Sequence, residues 1–286
     1  MKRWLERLWV IAMAVLLIYL CNQPDLEVLR KHNPTTTALM ELRVRQARAL
    51  GKSYPTLMTW KNLDEISPHL VHAVLLAEDD QFYNHHGFDL EEIKQAIKIN
   101  WEKKRFAYGG STITQQLART LYLSPKKNII RKLKEALITV RLERALPKRR
   151  ILEIYLNVIE WGRGIYGAEA AARFYYNKSA ADLTSDEAVA LASILPSPRR
   201  WTPQGEQAFM ARRRTRLLER MQAAGYLPTY VSNGPTLESV EPAVINPEGL
   251  QGEFHVYAPD SFSIPDISKP PLADGASLPD NTTDQP

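Results

Sequence analysis

Three consecutive acids, Glu78, Asp79 and Asp80, follow an apolar helical run in the segment VLLAEDDQFYNHHGFD. Adjacent carboxylates repel one another and lose hydration on burial, so a protein keeps them where they are solvated or used. We predict that Glu78 lies at the carboxyl end of a helix with one buried stripe. The residues of that stripe are Val71, Val74, Leu75 and Phe82. Partial burial and the neighbouring acids would raise the pKa of Glu78, which suits a general acid or base; an ordinary acidic helix end is the alternative.

The segment GGSTITQQLAR, residues 109–119, predicts a loop that leads into a helix. Ser111 or Thr112 can cap that helix, and the backbone amides of such a junction, that of Gly110 included, readily face an anion. Three polar side chains follow within two turns of the cap: Gln115, Gln116 and Arg119. A Gly-Gly-Ser cap is weak support by itself, because many helices begin in this way.

A third helical segment, KKNIIRKLKEALITVRLER, separates its apolar and charged residues on a helical wheel. One side carries Ile130, Leu133, Leu137 and Val140, and the opposite side carries Arg131, Lys132 and Glu135. The ordinary interpretation is a solvated face with ion pairs, since Arg131 and Glu135 are four residues apart. The functional interpretation is that cations and one acid face a multiply charged phosphate, with a divalent metal between Glu135 and the phosphate. The next segment, KRRILEIYLN, adds Lys148, Arg149, Arg150, Glu153 and Asn157.

The charge distribution favours a polyanionic partner. Residues 1–225 carry 36 Lys and Arg against 23 Asp and Glu, or +13, whereas residues 226–286 hold nine acids and one lysine. A basic body of this kind suits nucleic acid, anionic lipid or a phosphorylated substrate. The single cysteine, Cys21, excludes an intramolecular disulfide framework and zinc sites built on several cysteines.

The amino terminus predicts a membrane anchor over residues 1–21. Lys2, Arg3 and Arg7 precede an apolar run from Leu8 to Cys21. This run alone gives about 21 Å of helix, short of the ~30 Å hydrocarbon core, but counting from Trp4 makes a thin span feasible. The basic flank places the amino terminus in the cytoplasm and the remainder outside the membrane. A cleaved signal peptide is the alternative.

The rest of the chain divides into three parts. Residues 22–56 are expected to form a polar connector with one helix, and residues 57–225 carry the three- and four-residue apolar spacing of a helical domain. Residues 226–286 are rich in proline and acids and are expected to be disordered.

Four segments, in order, resemble the motifs of the peptidoglycan glycosyltransferases of family 51. EDDQFYNHHG is similar to Glu-Asp-x-x-Phe-x-x-His-x-Gly, and GGSTITQQ is similar to Gly-x-Ser-Thr-x-Thr-Gln-Gln. RKLKE is similar to Arg-Lys-x-x-Glu, and RRILEIYLN is similar to Arg-x-Ile-Leu-Glu-x-Tyr-x-Asn. The resemblance covers residues 57–205, and the layout resembles the monofunctional biosynthetic members found in proteobacteria.

This resemblance implies a mainly α, lysozyme-like domain with a small membrane-facing jaw around residues 88–108. It implies that the 4-hydroxyl of lipid II attacks C1 of the growing strand's terminal N-acetylmuramic acid, with inversion and release of undecaprenyl pyrophosphate. The expected partners are lipid II, the lipid-linked glycan strand and the membrane, with other cell-wall synthesis or division proteins left open. The expected location is the bacterial inner membrane, with the catalytic domain in the periplasm. No nucleic-acid partner and no organic cofactor are expected.

The resemblance also implies roles for individual residues. Glu78 is the general base, and Glu135 assists at the pyrophosphate; a divalent cation such as Mg²⁺ at Glu135 is an option that stays open. Arg119 stands where many members have lysine, which keeps the charge but changes the donor geometry. The residues expected to contact substrate are Asp79, His85, Gly110, Ser111, Thr112, Gln115, Gln116, Arg119, Arg131, Lys132, Lys134, Arg150, Glu153 and Asn157. Asp79 is also expected to brace the local structure.

Two other classes of protein are compatible with parts of this pattern. A lytic muramidase or lytic transglycosylase shares the lysozyme-like scaffold but cleaves glycan and needs no lipid carrier. A non-catalytic envelope scaffold would bind division or elongation proteins, and the presence of both Glu78 and Glu135 argues against it.

Overall fold

The computed structural model of the protein describes residues 2–103, 110–125 and 128–227. Within these ranges the chain is mainly helical, which confirms the mainly α part of the predicted fold class. The α-helices are α1 (Lys2–Cys21), α2 (Ala38–Ala49), α3 (Pro68–Glu78), α4 (Leu90–Glu102), α5 (Ile113–Tyr122), α6 (Ile129–Ala145), α7 (Lys148–Val158), α8 (Ala168–Tyr176), α9 (Ser185–Ile194) and α10 (Ala208–Ala223). Part of the expected jaw, residues 104–108, and all of the acidic tail after residue 227 lie outside the described residues.

Three short strands form one small sheet in the order β1-β3-β2: β1 (Leu57–Met58), β2 (Glu160–Gly162) and β3 (Ile165–Tyr166). Strand β1 pairs in parallel with β3, with Leu57 opposite Ile165, and β2 is antiparallel to β3. The sheet therefore joins the chain that precedes α3 to the chain that follows α7.

The core lies among the helices that follow β1. Helix α3 packs on α9, α10 packs on both, and α5 packs on α6 and α7. Of the predicted stripe, Val74, Leu75 and Phe82 are buried and Val71 is partly buried. As predicted, α3 ends at Glu78. This end of α3 lies near α5 and α10, because Glu78 contacts a side chain from each of them.

Helix α6 buries two of the three charged residues on the face that was interpreted as solvated, whereas the third, Lys132, keeps 43% of its side chain exposed. Arg131 is 9% exposed and Glu135 is fully buried, together with Ile138 and Leu142. The apolar residues of the opposite face are instead exposed: Ile130 at 45%, Leu133 at 50% and Leu137 at 44%. The interpretation as an ordinary solvated face was therefore wrong. Helical periodicity groups residues by face but does not say which face meets the core when both carry apolar groups.

The amino-terminal helix α1 exposes most of its described apolar side chains, including Trp9, Val10 and Ile18. The connector that follows is held against the helical domain: Leu26 and Leu29 are buried, and the Arg30 side chain donates to the carbonyl of Ala145 at 2.7 Å. Among helices built from the described residues, none combines the length and the apolar character required to cross a bilayer.

Two glycines offer a matched test of how tightly α7 and α8 are joined. Gly167 caps α8 with φ +82° and ψ 155°, and an added Cβ would lie 2.6 Å from the carbonyl oxygen of Asn157. Gly51, just after α2, also has a positive φ of +65°, but an added Cβ would meet no atom within 4 Å. Both substitutions strain the backbone, but only one adds a steric conflict.

We predict that Gly51→Ala lowers the free energy of unfolding by about 1 kcal/mol, the cost of a left-handed alanine. Gly167→Ala should lower it by about 3 kcal/mol or more, because strain in the glycine-only region and a backbone clash act together. Urea denaturation of the detergent-solubilised protein measures both values. Equal losses would contradict the close approach of Gly167 to α7.

Candidate active site

The side chain of Glu78 is held at the end of α3 by a chain of hydrogen bonds. Its Oε2 accepts from the Gln116 amide at 2.9 Å, and the Tyr155 hydroxyl donates to the Oε1 of Gln116 at 3.1 Å. Burial raises the pKa of Tyr155 well above its ordinary value, so the phenol keeps the proton that it donates. Because the phenol fixes the acceptor end of the Gln116 amide, the NH₂ end faces Glu78.

Burial also raises the pKa of Glu78 above its ordinary value. The hydrogen bond from Gln116 and the positive charges of Arg213 and Arg119 act in the opposite direction, and the neighbouring Asp79 adds a small increase. Partial burial and the adjacent acid were both anticipated from the sequence, and burial is the larger cause. A carboxylate with a raised pKa accepts a proton more readily than an exposed one, as a general base requires.

Arg213, on α10, is a residue that the sequence analysis missed. Its Nη2 lies 3.9 Å from Oε1 of Glu78, and its side chain is 36% exposed. The only sequence signal was the basic run ARRRTR in α10, which contains several arginines and gives no reason to choose one. Helix α10 packs on α3, and this packing brings Arg213 close to Glu78 at the end of α3.

Asp79 braces the local structure, as expected, rather than facing a cavity. One carboxylate oxygen meets Nε2 of His85 at 2.9 Å, and the other accepts the backbone N–H of Ile113, the first residue of α5, at 2.9 Å. The anion-binding position at the start of α5, which was predicted for a ligand, is thus taken by the protein's own carboxylate. Asp79 ties the end of α3 to the beginning of α5.

His85 and Gly87 complete this brace. The Nδ1 of His85 accepts from the backbone N–H of Gly87 at 3.1 Å, so the tautomer assigned from these bonds carries its proton on Nε2 and donates it to Asp79. The hydroxyl of Thr112, which caps α5 as predicted, donates to the carbonyl of Gly87 at 2.8 Å. Gly87 has φ +90°, and an added Cβ would lie 2.7 Å from Thr139.

Glu135 lies at the centre of a second cluster, which we call the cation cluster: Arg119, Arg131, Lys132 and Glu135. Arg131 Nη1 lies 2.5 Å from Oε2 of Glu135, and Lys132 Nζ lies 2.5 Å from its Oε1. Arg119 Nη1 lies 3.9 Å from the same Oε2. Lys132 also donates to the hydroxyl of Ser111 at 3.4 Å. With three cations around one carboxylate, the cluster carries a net charge of +2 and suits an anion of high charge.

The two clusters share one helix face. Gln116 and Arg119 are three residues apart on α5, so their side chains lie on the same side of the helix. Gln116 contacts Glu78, whereas Arg119 reaches Glu135. A base and a cationic group thus flank the same surface of α5.

The residues around Glu135 do not fit a divalent metal. Both carboxylate oxygens are already paired with cations, and Mg²⁺ is usually bound through carboxylates and substrate phosphates. In the described ranges, no group of three or more His, Cys, Asp or Glu side chains could hold a metal ion. Mg²⁺ at Glu135 stays a prediction that this geometry does not favour.

Several residues expected to contact substrate also have partners within the fold, and their substrate contacts stay a prediction. The Gln115 side chain is buried and accepts from the N–H of Thr112 in a capping box. Gly110 packs beside Ile93 and Ala96 of α4. The Lys134 amine lies 4.0 Å above the ring of Tyr19 and donates to the carbonyl of the same residue on α1.

The three residues of the fourth motif bind the connector and the chain before α3. Arg150 donates to the carbonyls of Leu29 and His32 and pairs with Glu153. Glu153 accepts the N–H of Leu63, and buried Asn157 bonds both backbone groups of Lys61. All three side chains therefore have partners within the fold. Their predicted contacts with substrate stay a prediction.

Comparison with known proteins agrees with the motif assignment. A family model described as Transglycosylase matches residues 46–222. A biosynthetic peptidoglycan transglycosylase of Nitrosospira multiformis is 41% identical over 224 residues, which cover 78% of this chain and 97% of the relative. Proteins of the same name from Thiobacillus denitrificans and Aromatoleum aromaticum are 42% identical over 227 residues and 51% identical over 172 residues, respectively. These matches cover 79% and 60% of this chain, and 97% and 75% of the relatives.

The motifs, the position of Glu78 at the end of α3 and the extent of these matches agree, and the chain belongs to the transglycosylase family.

Proposed function

We propose that this protein polymerises lipid II into the glycan strands of peptidoglycan by an inverting glycosyl transfer. The observation that carries the proposal is a largely buried carboxylate with a raised pKa, Glu78, whose side chain is 13% exposed, on the same side of α5 as a cluster of net positive charge. An inverting transfer needs a base on the acceptor side and charge neutralisation on the leaving side. The curated relatives, named as biosynthetic peptidoglycan transglycosylases, support this assignment.

On the acceptor side, Glu78 takes the proton of the 4-hydroxyl of the acceptor sugar. At the same time, the oxygen of that hydroxyl forms a bond to C1 of the donor. The hydrogen bond from Gln116 orients the carboxylate, and Tyr155 orients Gln116. The positive charge of Arg213 acts against burial and so limits how far the pKa of Glu78 is raised.

On the donor side, the bond between C1 and the phosphate oxygen breaks, and its electron pair leaves with undecaprenyl pyrophosphate. The charge that develops there is met by Arg119, Arg131 and Lys132. Glu135 assists by holding these cations in place: an acid with three cationic partners fixes their positions while leaving net positive charge. This role for Glu135 needs no metal.

We also propose that the protein acts at the inner membrane with its catalytic domain in the periplasm, because both substrates are lipid-linked. The exposed apolar side chains of α1 and the basic residues before them support an anchor. Helix α4, in the proposed jaw, exposes Leu90, Ile97 and Trp101, the last at 84%. Aromatic and aliphatic side chains of this kind suit a membrane-facing surface.

The test is incubation of the detergent-solubilised protein with labelled lipid II, followed by separation of the products by size. Wild type and Asp80→Asn should make glycan polymer that muramidase digests, whereas Glu78→Gln should make none and still bind lipid II. Asp80 is the matched control because it is the neighbouring acid, exposed and paired with Arg220. Shortening of added glycan would indicate a lytic enzyme, and no polymer from wild type in several detergents with magnesium supplied would favour a scaffold.

The raised pKa of Glu78 predicts the pH dependence of polymerisation. A base works when deprotonated, so kcat/KM should fall on the acid side with a midpoint above 4.5, the ordinary carboxyl value. Arg213→Met removes a charge that lowers this pKa, and the midpoint should move to higher pH. Arg212→Met, an exposed neighbour with the same change in charge, should leave it in place. A midpoint unmoved in the Arg213 variant would contradict the coupling.

The cation cluster predicts a loss of donor binding in Lys132→Ala. Removing a charge-assisted contact should raise the KM for the donor about tenfold or more. Lys178→Ala is the control, because Lys178 is similarly exposed and also pairs with a glutamate, Glu187, at 2.7 Å. Initial rates measured over a range of lipid II concentrations would check this, and an unchanged concentration dependence would refute the pyrophosphate assignment.

A further inference from the structure

A cavity of about 320 Å³ extends from the proposed catalytic residues to the connector helix α2. Its lining includes Gln116, which bonds Glu78, Tyr155, which bonds Gln116, and Arg119 of the cation cluster. Its lining also includes Arg43, on α2, and Glu160, on β2. The family model begins at residue 46, so Arg43 comes from outside the matched domain.

The Arg43 and Glu160 side chains form a buried pair at the far wall. Arg43 Nη2 lies 3.1 Å from Oε2 of Glu160, and the two side chains are 17% and 6% exposed. The Tyr54 hydroxyl donates to the other Glu160 oxygen at 3.3 Å, so the carboxylate is held from two directions. The pair is therefore fixed by the fold before any ligand arrives.

This wall has more donors than the chain itself can use. Arg199 Nε lies 3.9 Å from Glu160, so two guanidinium groups share one carboxylate. Within the part of the chain that the structure describes, Nε of Arg43 and Nε of Arg199 are buried without a hydrogen-bond partner. Each guanidinium has five N–H donors, and buried donors without acceptors are costly.

The remaining lining suits a sugar. Leucines and prolines form the sides of the cavity: Leu39, Leu123, Leu195, Pro125, Pro196 and Pro198. Apolar walls with a few convergent polar groups are typical of small-ligand sites, and this volume is at the lower end of their range. A glycan presents C–H faces to such walls, and its hydroxyl and acetamido oxygens are acceptors for guanidinium donors.

We propose that Arg43, held by Glu160, binds the growing glycan strand and prolongs its retention between additions. This inference rests on the proposed function, in which the growing strand is the donor and its pyrophosphate lies at the cation cluster. The cavity adjoins that cluster through Arg119, so sugars beyond the reacting one extend toward α2. Because Arg43 does not touch the reacting bond, its loss changes how long a strand stays bound rather than the chemical step.

The test compares product lengths from labelled lipid II for wild type, Arg43→Ala, Leu39→Trp and Arg45→Ala. Leu39→Trp fills the cavity while keeping both members of the ion pair, and Arg45 is an exposed arginine on the same helix that lines a different cavity. Arg43→Ala and Leu39→Trp should yield polymer with a mean length about twofold shorter than that of wild type, or shorter still, because strands dissociate earlier. Arg45→Ala should give wild-type lengths.

Thermal melting identifies which variants are folded, and the two cavity variants give independent results if one of them fails to fold. Wild-type strand length from either folded cavity variant overturns the proposal. Complete loss of polymerisation in folded Arg43→Ala also overturns it, because Arg43 would then act in the chemical step. Absence of polymer from wild type itself instead refutes the proposed function, so the two failures are distinguishable.

Discussion

The arrangement of the proposed catalytic residues depends on the carboxylate of Asp79. It receives one hydrogen bond from His85 and another from the first amide of α5, and so joins the end of α3 to the start of α5. These bonds place Glu78, the preceding residue, within reach of Gln116 on α5. The three adjacent acids thus differ in environment: Asp79 is a buried structural brace, Glu78 is largely buried with a raised pKa, and Asp80 is exposed beside Arg220.

The cation cluster also depends on a buried carboxylate, that of Glu135. A fully buried Glu135 would be costly alone, but its three cationic partners compensate for the loss of hydration. The partners in turn are positioned by it, and Arg119 and Lys132 keep enough exposure to meet a ligand. We propose that one fold therefore presents a base at one end of α5 and a preorganised positive charge nearby, which are the two requirements of the proposed transfer.

Spacing and residue type predicted much of this from the sequence. Glu78 at a helix end, Thr112 as a cap and Arg131 paired with Glu135 all follow from local periodicity or capping chemistry, which depend on neighbours along the chain. The anion at the start of α5 was not predictable, because Asp79 comes from 34 residues earlier and only tertiary packing brings it there. For the same reason, the sequence could not show which arginine of α10 lies beside Glu78; the structure shows that it is Arg213.

The burial of α6 shows a different limit. Burial of Glu135 is feasible because the carboxylate is paired with Arg131 on the same helix. The apolar side chains of Ile130, Leu133 and Leu137 are left exposed. A helical wheel predicts that charged side chains face solvent. It does not include the partners whose ion pairs and hydrogen bonds offset the free-energy cost of burying a charge. The fourth motif illustrates this too, since Arg150 and Asn157 have backbone partners that are distant in sequence.

The fold keeps Glu78 in an environment that disfavours its charge. The most direct test is the free energy of unfolding of wild type and Glu78→Gln in detergent, measured from pH 4 to pH 8. Since the folded pKa is raised above the ordinary 4.5, the charged carboxylate destabilises the fold above that pH, and the penalty disappears as pH falls below it. The Gln variant should be more stable than wild type near pH 7, and the difference should vanish toward pH 4. A Gln variant that is less stable than wild type at pH 7 would show that the fold stabilises the Glu78 anion, which would contradict its assignment as the base.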